Sequence, residues 1–262
     1  MISHRESLAF IFGILGNAIS FMVFLAPVPT FYQIYKKKST EGFQSIPYVV
    51  ALLSAMLWIY YALAKREHSF LLLTINTFGV GVESLYIAIF LVCASHKARL
   101  STIKLLVLCN VFGFGGMVVS TLYLTKASER ISIIGWVCLV FNIGVFASPL
   151  GIIKKVIETR SVAFMPLSLS FFLSLNAIMW FFYGFLLNDY YIALPNTLGF
   201  LFGIVQMVIY LIYKNSNEVD PKKLQELNGH IIDIVKMGTN TMVISGPNQV
   251  ANSGDENPNN GK

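Results

Sequence analysis

Seven apolar stretches separated by six short polar breaks account for most of the first 213 residues. They run over residues 8–33, 46–64, 69–93, 103–124, 132–153, 166–187 and 190–213. Each is close to or above the ~18 residues a helix needs to cross a hydrocarbon core. The pattern predicts an all-α integral membrane fold with seven transmembrane helices. The first stretch exceeds what a bilayer requires, so it is expected to tilt, kink or end outside the core. No small-residue cleavage site follows a short apolar core, so this stretch reads as a retained span.

The stretches repeat. Trp58 and Trp180 lie 122 residues apart, as do Tyr61 and Tyr183, while Asn76 and Asn196 lie 120 apart. VFLAP at 23–27 returns as VFASP at 145–149. Segments 1–3 and 5–7 are therefore two copies of one three-helix unit, and segment 4 is the linker between them. A single-span linker makes both copies enter the membrane from the same side. The expected arrangement is two parallel three-helix bundles related by an axis along the membrane normal. Its divisions are 1–94 for the first bundle, 95–130 for linker helix 4 and its flanking loops, 131–213 for the second bundle, and 214–262 for a tail. In repeat-built transporters the site lies where the copies meet. Segment 4 holds GFGG at 113–116, small residues that allow close helix approach, though an inert connecting role suits a linker better.

Charge sets the orientation. Alternate loops beginning with 36–42 carry nine Lys and Arg, against four in the other set. Basic residues favour the cytoplasmic side, which puts the N-terminus outside and the C-terminus in the cytosol. The net charge of +6 is thus accounted for by topology and gives no reason to expect a nucleic-acid partner. With 12% charged residues, 55% hydrophobic residues and a mean hydropathy of +0.66, the chain is far from the roughly 25% charge of soluble domains. Beyond Tyr213 the chain turns polar, ending NSGDENPNNGK, a composition expected to stay mostly disordered. Within it, IIDIVKM at 231–237 is the one stretch suited to a membrane surface or a partner.

Enzyme chemistry has little to work with. The four histidines, His4, His68, His96 and His230, all fall in termini or loops, so no catalytic pair and no metal site is expected in the spans. Cys93, Cys109 and Cys138 lack both the even count of a disulfide framework and any metal-type spacing. No phosphate loop or nucleophile motif occurs, and no cofactor is expected. Glu83 is the single clear intramembrane acid, a position that is functional by default. It has no counterpart in the second copy, where the matching positions are Gly203, Ile204 and Val205. A structural or partnered role fits that isolation better than proton coupling.

The paired Trp and Asn residues are different. An unpartnered amide in a membrane costs several kcal/mol, and two repeated at a matching offset point to a ligand between the copies. An amide offers two donors and two acceptor lone pairs without charge, which suits a neutral polyol. Trp58 and Trp180 supply flat faces for the C–H side of a sugar ring. Prolines repeat as well. Pro27 and Pro149 interrupt spans 1 and 5, and Pro47 and Pro166 open spans 2 and 6, forming two pairs of candidate hinges. Near the outer ends, Lys65 and Asp189 occupy equivalent positions and are placed to pair beside Tyr61 as a weak exposed gate; coincidental surface charges explain them equally well.

These residues, with Gly13, Gly16, Asn17, PVPTF at 27–31, KKSTEGF at 37–43, WFFYG at 180–184 and PNTLG at 195–199, resemble the plant SWEET sugar facilitators over about residues 8–214. The resemblance implies energy-independent uniport by alternating access and assembly as a homo-oligomer in the lipid bilayer. It implies a midplane sugar site at Trp58, Asn76, Trp180 and Asn196. Selectivity positions would be Ser20, Val23, Ser54, Val145 and Asn176. Pro27, Pro47, Pro149 and Pro166 would be hinges, and Tyr61, Lys65 and Asp189 the extracellular gate. Among its groups the chain is most similar to the sucrose-preferring carriers of the plasma membrane. Small Val23, Ser54 and Val145 leave room for a disaccharide, whereas Asn176 is bulkier than its counterpart Ser54, so hexoses stay open as substrates. Two further readings share this topology: a seven-span receptor, and a proton-coupled sugar transporter using Glu83.

Overall fold

The computed structural model describes residues 4–40, 43–145, 147–162 and 167–215, with the side chains of 147–149, 168 and 169 left aside. Its helices are α1 (His4–Leu25), α2 (Val28–Lys37), α3 (Ile46–Lys65), α4 (Phe70–Cys93) and α5 (His96–Leu106). A π-helical turn, Val107–Gly113, leads into α6 (Phe114–Tyr123). Then follow α7 (Ala127–Val145), α8 (Ala147–Thr159), α9 (Leu167–Leu186) and α10 (Tyr190–Tyr213). No strand occurs among the described residues. Six helical runs there are long and apolar enough to span a membrane, and α9 supplies a shorter apolar stretch, Ser170–Leu186.

The overlong first segment is broken where proline requires it. Pro27 has no N–H to continue the helix, so α1 ends at Leu25 and α2 restarts with Phe31 N–H bonded to the Pro27 carbonyl at 3.0 Å. The Tyr86 hydroxyl donates to the Phe24 carbonyl at 2.9 Å and satisfies the last turn of α1. Pro47 sits in the first turn of α3 and Pro149 in that of α8, where a missing donor costs little. Pro166 and the tail from 216 onward, including IIDIVKM, lie outside the described residues.

The fourth segment starts earlier than hydropathy indicates. Ser95 caps α5 by accepting from Ala98 N–H, and polar HKARLSTIK forms its first two turns. Hydroxyl pairs tie this rod to α3: Ser45 with Thr102 at 2.6 Å, and Tyr60 with Thr121 at 2.6 Å. The GFGG stretch makes no close helix approach at Gly115 or Gly116, in keeping with a connecting role. A Cβ on Gly115 or Gly116 would meet nothing within 4 Å, because that face of α6 looks away from the bundle.

Burial is arranged for lipid. Leu124, Val92, Phe70 and Phe112 are exposed, while Asn76, Ser20, Glu83 and Gln206 are buried. Apolar surface turned outward costs nothing in a bilayer, and polar groups must then find partners inside. In the first unit α4 packs against α1 and α3; in the second α10 packs against α7 and α9. Between units α1 meets α9 and α3 meets α7. Exchanging α1 with α7 and α3 with α9 converts one of those contacts into the other, as a two-fold axis between the units requires. Close seats hold the packing: Gly203 leaves room for Ser174, whose Oγ would lie 1.8 Å from any Cβ added there.

Candidate functional site

A cavity of about 240 Å³ lies between the two units. Asn76, Asn196, Trp58 and Trp180 all line it, joined by Ser20, Ser54 and Asn176. Val23 and Val145 do not reach its lining, and Val145 is exposed. Further wall comes from Phe24, Pro195 and Asn142.

Asn76 and Asn196 are held alike. Asn76 Nδ2 donates to the Leu72 carbonyl at 2.8 Å, and Asn196 Nδ2 to the Ile192 carbonyl at 2.7 Å. Each uses one amide hydrogen to bond back four residues on its own helix. The other hydrogen and the Oδ1 acceptor remain for a ligand. Asn142 follows the same pattern, donating to the Cys138 carbonyl at 3.0 Å. Asn17 contrasts with these three. It donates to the Gly13 and Leu71 carbonyls and accepts from Thr74 Oγ1, so it is an α1–α4 fastener rather than a ligand group.

A polar chain runs through one wall. The Trp180 indole N–H donates to Ser20 Oγ at 3.0 Å, and Ser20 donates to Asn176 Oδ1 at 2.8 Å. Accepting through oxygen leaves the Asn176 amide nitrogen with its donor capacity. Gly16 permits this placement, since a Cβ there would meet Trp180 at 3.1 Å. Sequence reasoning missed Asn142, though the repeat held the signal: it lies 122 residues after Ser20, as Asn176 lies 122 after Ser54. Both pairs place a hydroxyl in the first unit and an amide in the second.

The α3–α4 and α9–α10 connections close one end of the cavity. The Tyr61 hydroxyl bonds both Asp189 oxygens, at 3.0 and 2.9 Å, and Lys65 Nζ pairs with Asp189 Oδ2. Asp189 also caps α10 by accepting from Ile192 N–H at 3.3 Å. The pair is not the exposed one the sequence indicates. The Asp189 side chain is 1% exposed and that of Lys65 21%, because the carboxylate is sealed beneath the opposing α3.

Glu83 does not line the cavity. It is buried in α4, and its Oε2 has no hydrogen-bond partner among the described residues. No group of three or more His, Cys, Asp or Glu able to hold a metal occurs among them either. A ligand held in that cavity would not touch this carboxyl. Glu83→Gln is therefore expected to keep at least about half of the parent sugar flux at both neutral and acid pH, measured as initial uptake rates. Loss of flux confined to acid pH would instead make Glu83 a proton-coupling group.

The fold and cavity define a polytopic membrane protein with a cavity between two related helical units, lined by uncharged polar and aromatic side chains. A family model described as "Sugar efflux transporter for intercellular exchange" matches the chain twice, over residues 10–98 and 132–218. The two matches begin at the same 122-residue spacing that separates Trp58 from Trp180. Bidirectional sugar transporter SWEET10 of Arabidopsis thaliana is 51% identical over 236 residues, 88% of this chain and 81% of that one. Bidirectional sugar transporter SWEET13 of Oryza sativa subsp. japonica is 54% identical over 218 residues, 83% of this chain and 73% of that one. Bidirectional sugar transporter N3 of Medicago truncatula is 54% identical over 222 residues, 85% and 82% of the two chains. A solved structure of a eukaryotic SWEET transporter superposes with a TM-score of 0.77 at 35% identity, covering 82% of this chain and all of that one. The chain belongs to the SWEET family of sugar transporters.

Proposed function

We propose that the protein is a bidirectional sucrose uniporter working by alternating access, with hexoses as a second substrate class. The observation that carries this reading is the cavity's paired Asn76/Asn196 and Trp58/Trp180, which combine uncharged hydrogen-bonding groups with flat apolar faces. Relatives named as bidirectional sugar transporters support it over a receptor. Ser20, Ser54, Asn142 and Asn176 shape the pocket around the disaccharide. Tyr61, Lys65 and Asp189 form the extracellular gate, and Pro27, Pro47, Pro149 and Pro166 act as hinges during rocking.

In this reading the two three-helix units, 1–94 and 131–213, rock about the sugar while 95–130 links them and 214–262 extends into the cytosol. The N-terminus is extracellular, the membrane is the plasma membrane, and the protein assembles as a homo-oligomer. Asn176 restricts the pocket on one side, so Asn176→Ser is expected to raise the sucrose-to-glucose flux ratio by at least about threefold, in line with the modest discrimination available to pocket size. Paired uptake of the two labelled sugars measures this. An unchanged ratio would mean that position 176 does not face the sugar.

A further inference from the structure

We infer that the outer closure has a second arm, formed by the Tyr183 hydroxyl and the His68 main-chain carbonyl. The inference rests on the gate reading above and adds a positioning residue to it. Tyr183 is buried in α9, and its hydroxyl donates across the unit boundary to the carbonyl of His68 in the α3–α4 connection. Tyr61 makes the reciprocal crossing, from the first unit to Asp189 of the second. The two tyrosines are 122 residues apart, so the closure is two-fold like the cavity beneath it.

The loops that receive them match in backbone and differ in chemistry. His68 and Asn188, 120 residues apart, both adopt left-handed φ, 51° and 55°. The next residue is Ser69 in one loop and Asp189 in the other. Asp189 offers Tyr61 a carboxylate. The Ser69 hydroxyl instead turns back to the Ala62 and Arg66 carbonyls, which leaves Tyr183 a neutral main-chain acceptor. The second arm is thus the weaker one, since bonds to charged groups exceed neutral ones.

Each arm stands directly on the site. Trp58 packs edge-on against Tyr61 at 5.6 Å and 90°, and Trp180 against Tyr183 at 5.2 Å and 80°. A sugar that shifts either indole therefore presses on the tyrosine holding that half of the closure. Gly13 makes room for both Leu71 and the second arm, because a Cβ there would meet Leu71 Cδ1 at 2.6 Å and the Tyr183 ring at 2.9 Å.

The test uses the full chain in intact cells, with Ser54→Cys as a cavity reporter labelled from outside by an impermeant thiol reagent. Tyr183→Phe keeps the ring and removes the bond, and is expected to speed labelling by about two- to tenfold, the range of one neutral hydrogen bond. It should also lower the KM for external sucrose while raising that for internal sucrose, because a larger outward-open fraction favours external binding. A purely structural role would not split the two KM values. Gly13→Ala, which crowds the ring together with Leu71, should speed labelling in the same direction. Parent-rate labelling in both variants, with Tyr61→Phe still accelerated, would overturn the second arm alone. Parent-rate labelling in Tyr61→Phe as well would overturn the gate reading on which it rests.

Discussion

Asn76→Ala and Asn196→Ala are each expected to reduce sucrose flux by at least about 30-fold while leaving surface abundance unchanged. The magnitude follows from removing a buried hydrogen-bonding group from the ligand's surroundings, worth about 2 kcal/mol. The unchanged abundance follows from geometry. The hydrogen bonds these side chains make run to Leu72 and Ile192, on their own helices, so truncation breaks no bond between helices. Asn17→Ala is the informative contrast. Its amide fastens α1 to the Leu71 carbonyl and Thr74 hydroxyl of α4, so its loss should reduce surface abundance instead. Surface biotinylation beside labelled sucrose uptake separates the two effects. Normal flux in either cavity variant would place the sugar elsewhere.

The second large effect concerns the proposed gate. Asp189 is the acceptor for Tyr61, the counterion of Lys65 and the cap of α10. Asp189→Ala removes all three roles. Breaking a buried pair costs about 3–5 kcal/mol, and the partial exposure of Lys65 reduces that to roughly 2 kcal/mol. A change of this size shifts a two-state equilibrium by about 30-fold. Sucrose flux is expected to fall by at least about tenfold, since the inward-facing state requires a closed outer end. Asp189→Asn retains a capping oxygen but loses the charge. It separates the ion pair from the other two roles: full flux in Asp189→Asn with loss in Asp189→Ala would mean that the charge opposite Lys65 is dispensable and a neutral oxygen suffices for Tyr61 and the cap.

The site was legible to the extent that both copies kept the same residue. Trp58 with Trp180 and Asn76 with Asn196 stood out as identical pairs at offsets of 122 and 120, and the structure places all four around one cavity. Asn142 was hidden because its counterpart is Ser20, so identity failed where position held. Val23 and Val145 repeat equally well yet fall outside the lining, since an offset fixes a helix position and not which neighbour covers it. Asp189 illustrates the same limit from another side. It read as one member of a weak exposed pair, and the packing of α3 over that loop buries the carboxylate. The seven apolar segments were clear because lipid demands long uninterrupted runs. The polar beginning of α5 and the π-helical turn at Val107–Gly113 were not, because their hydrogen-bond pattern leaves no mark on hydropathy.

Labelled sucrose and glucose, followed in both directions across a range of external pH in cells lacking other sugar carriers, test the central claim most directly. The account predicts saturable sucrose flux that runs down its gradient either way, stops at equal concentrations and does not vary with pH. Accumulation above the external concentration at acid pH, or no sugar flux from protein present at the surface, would contradict it.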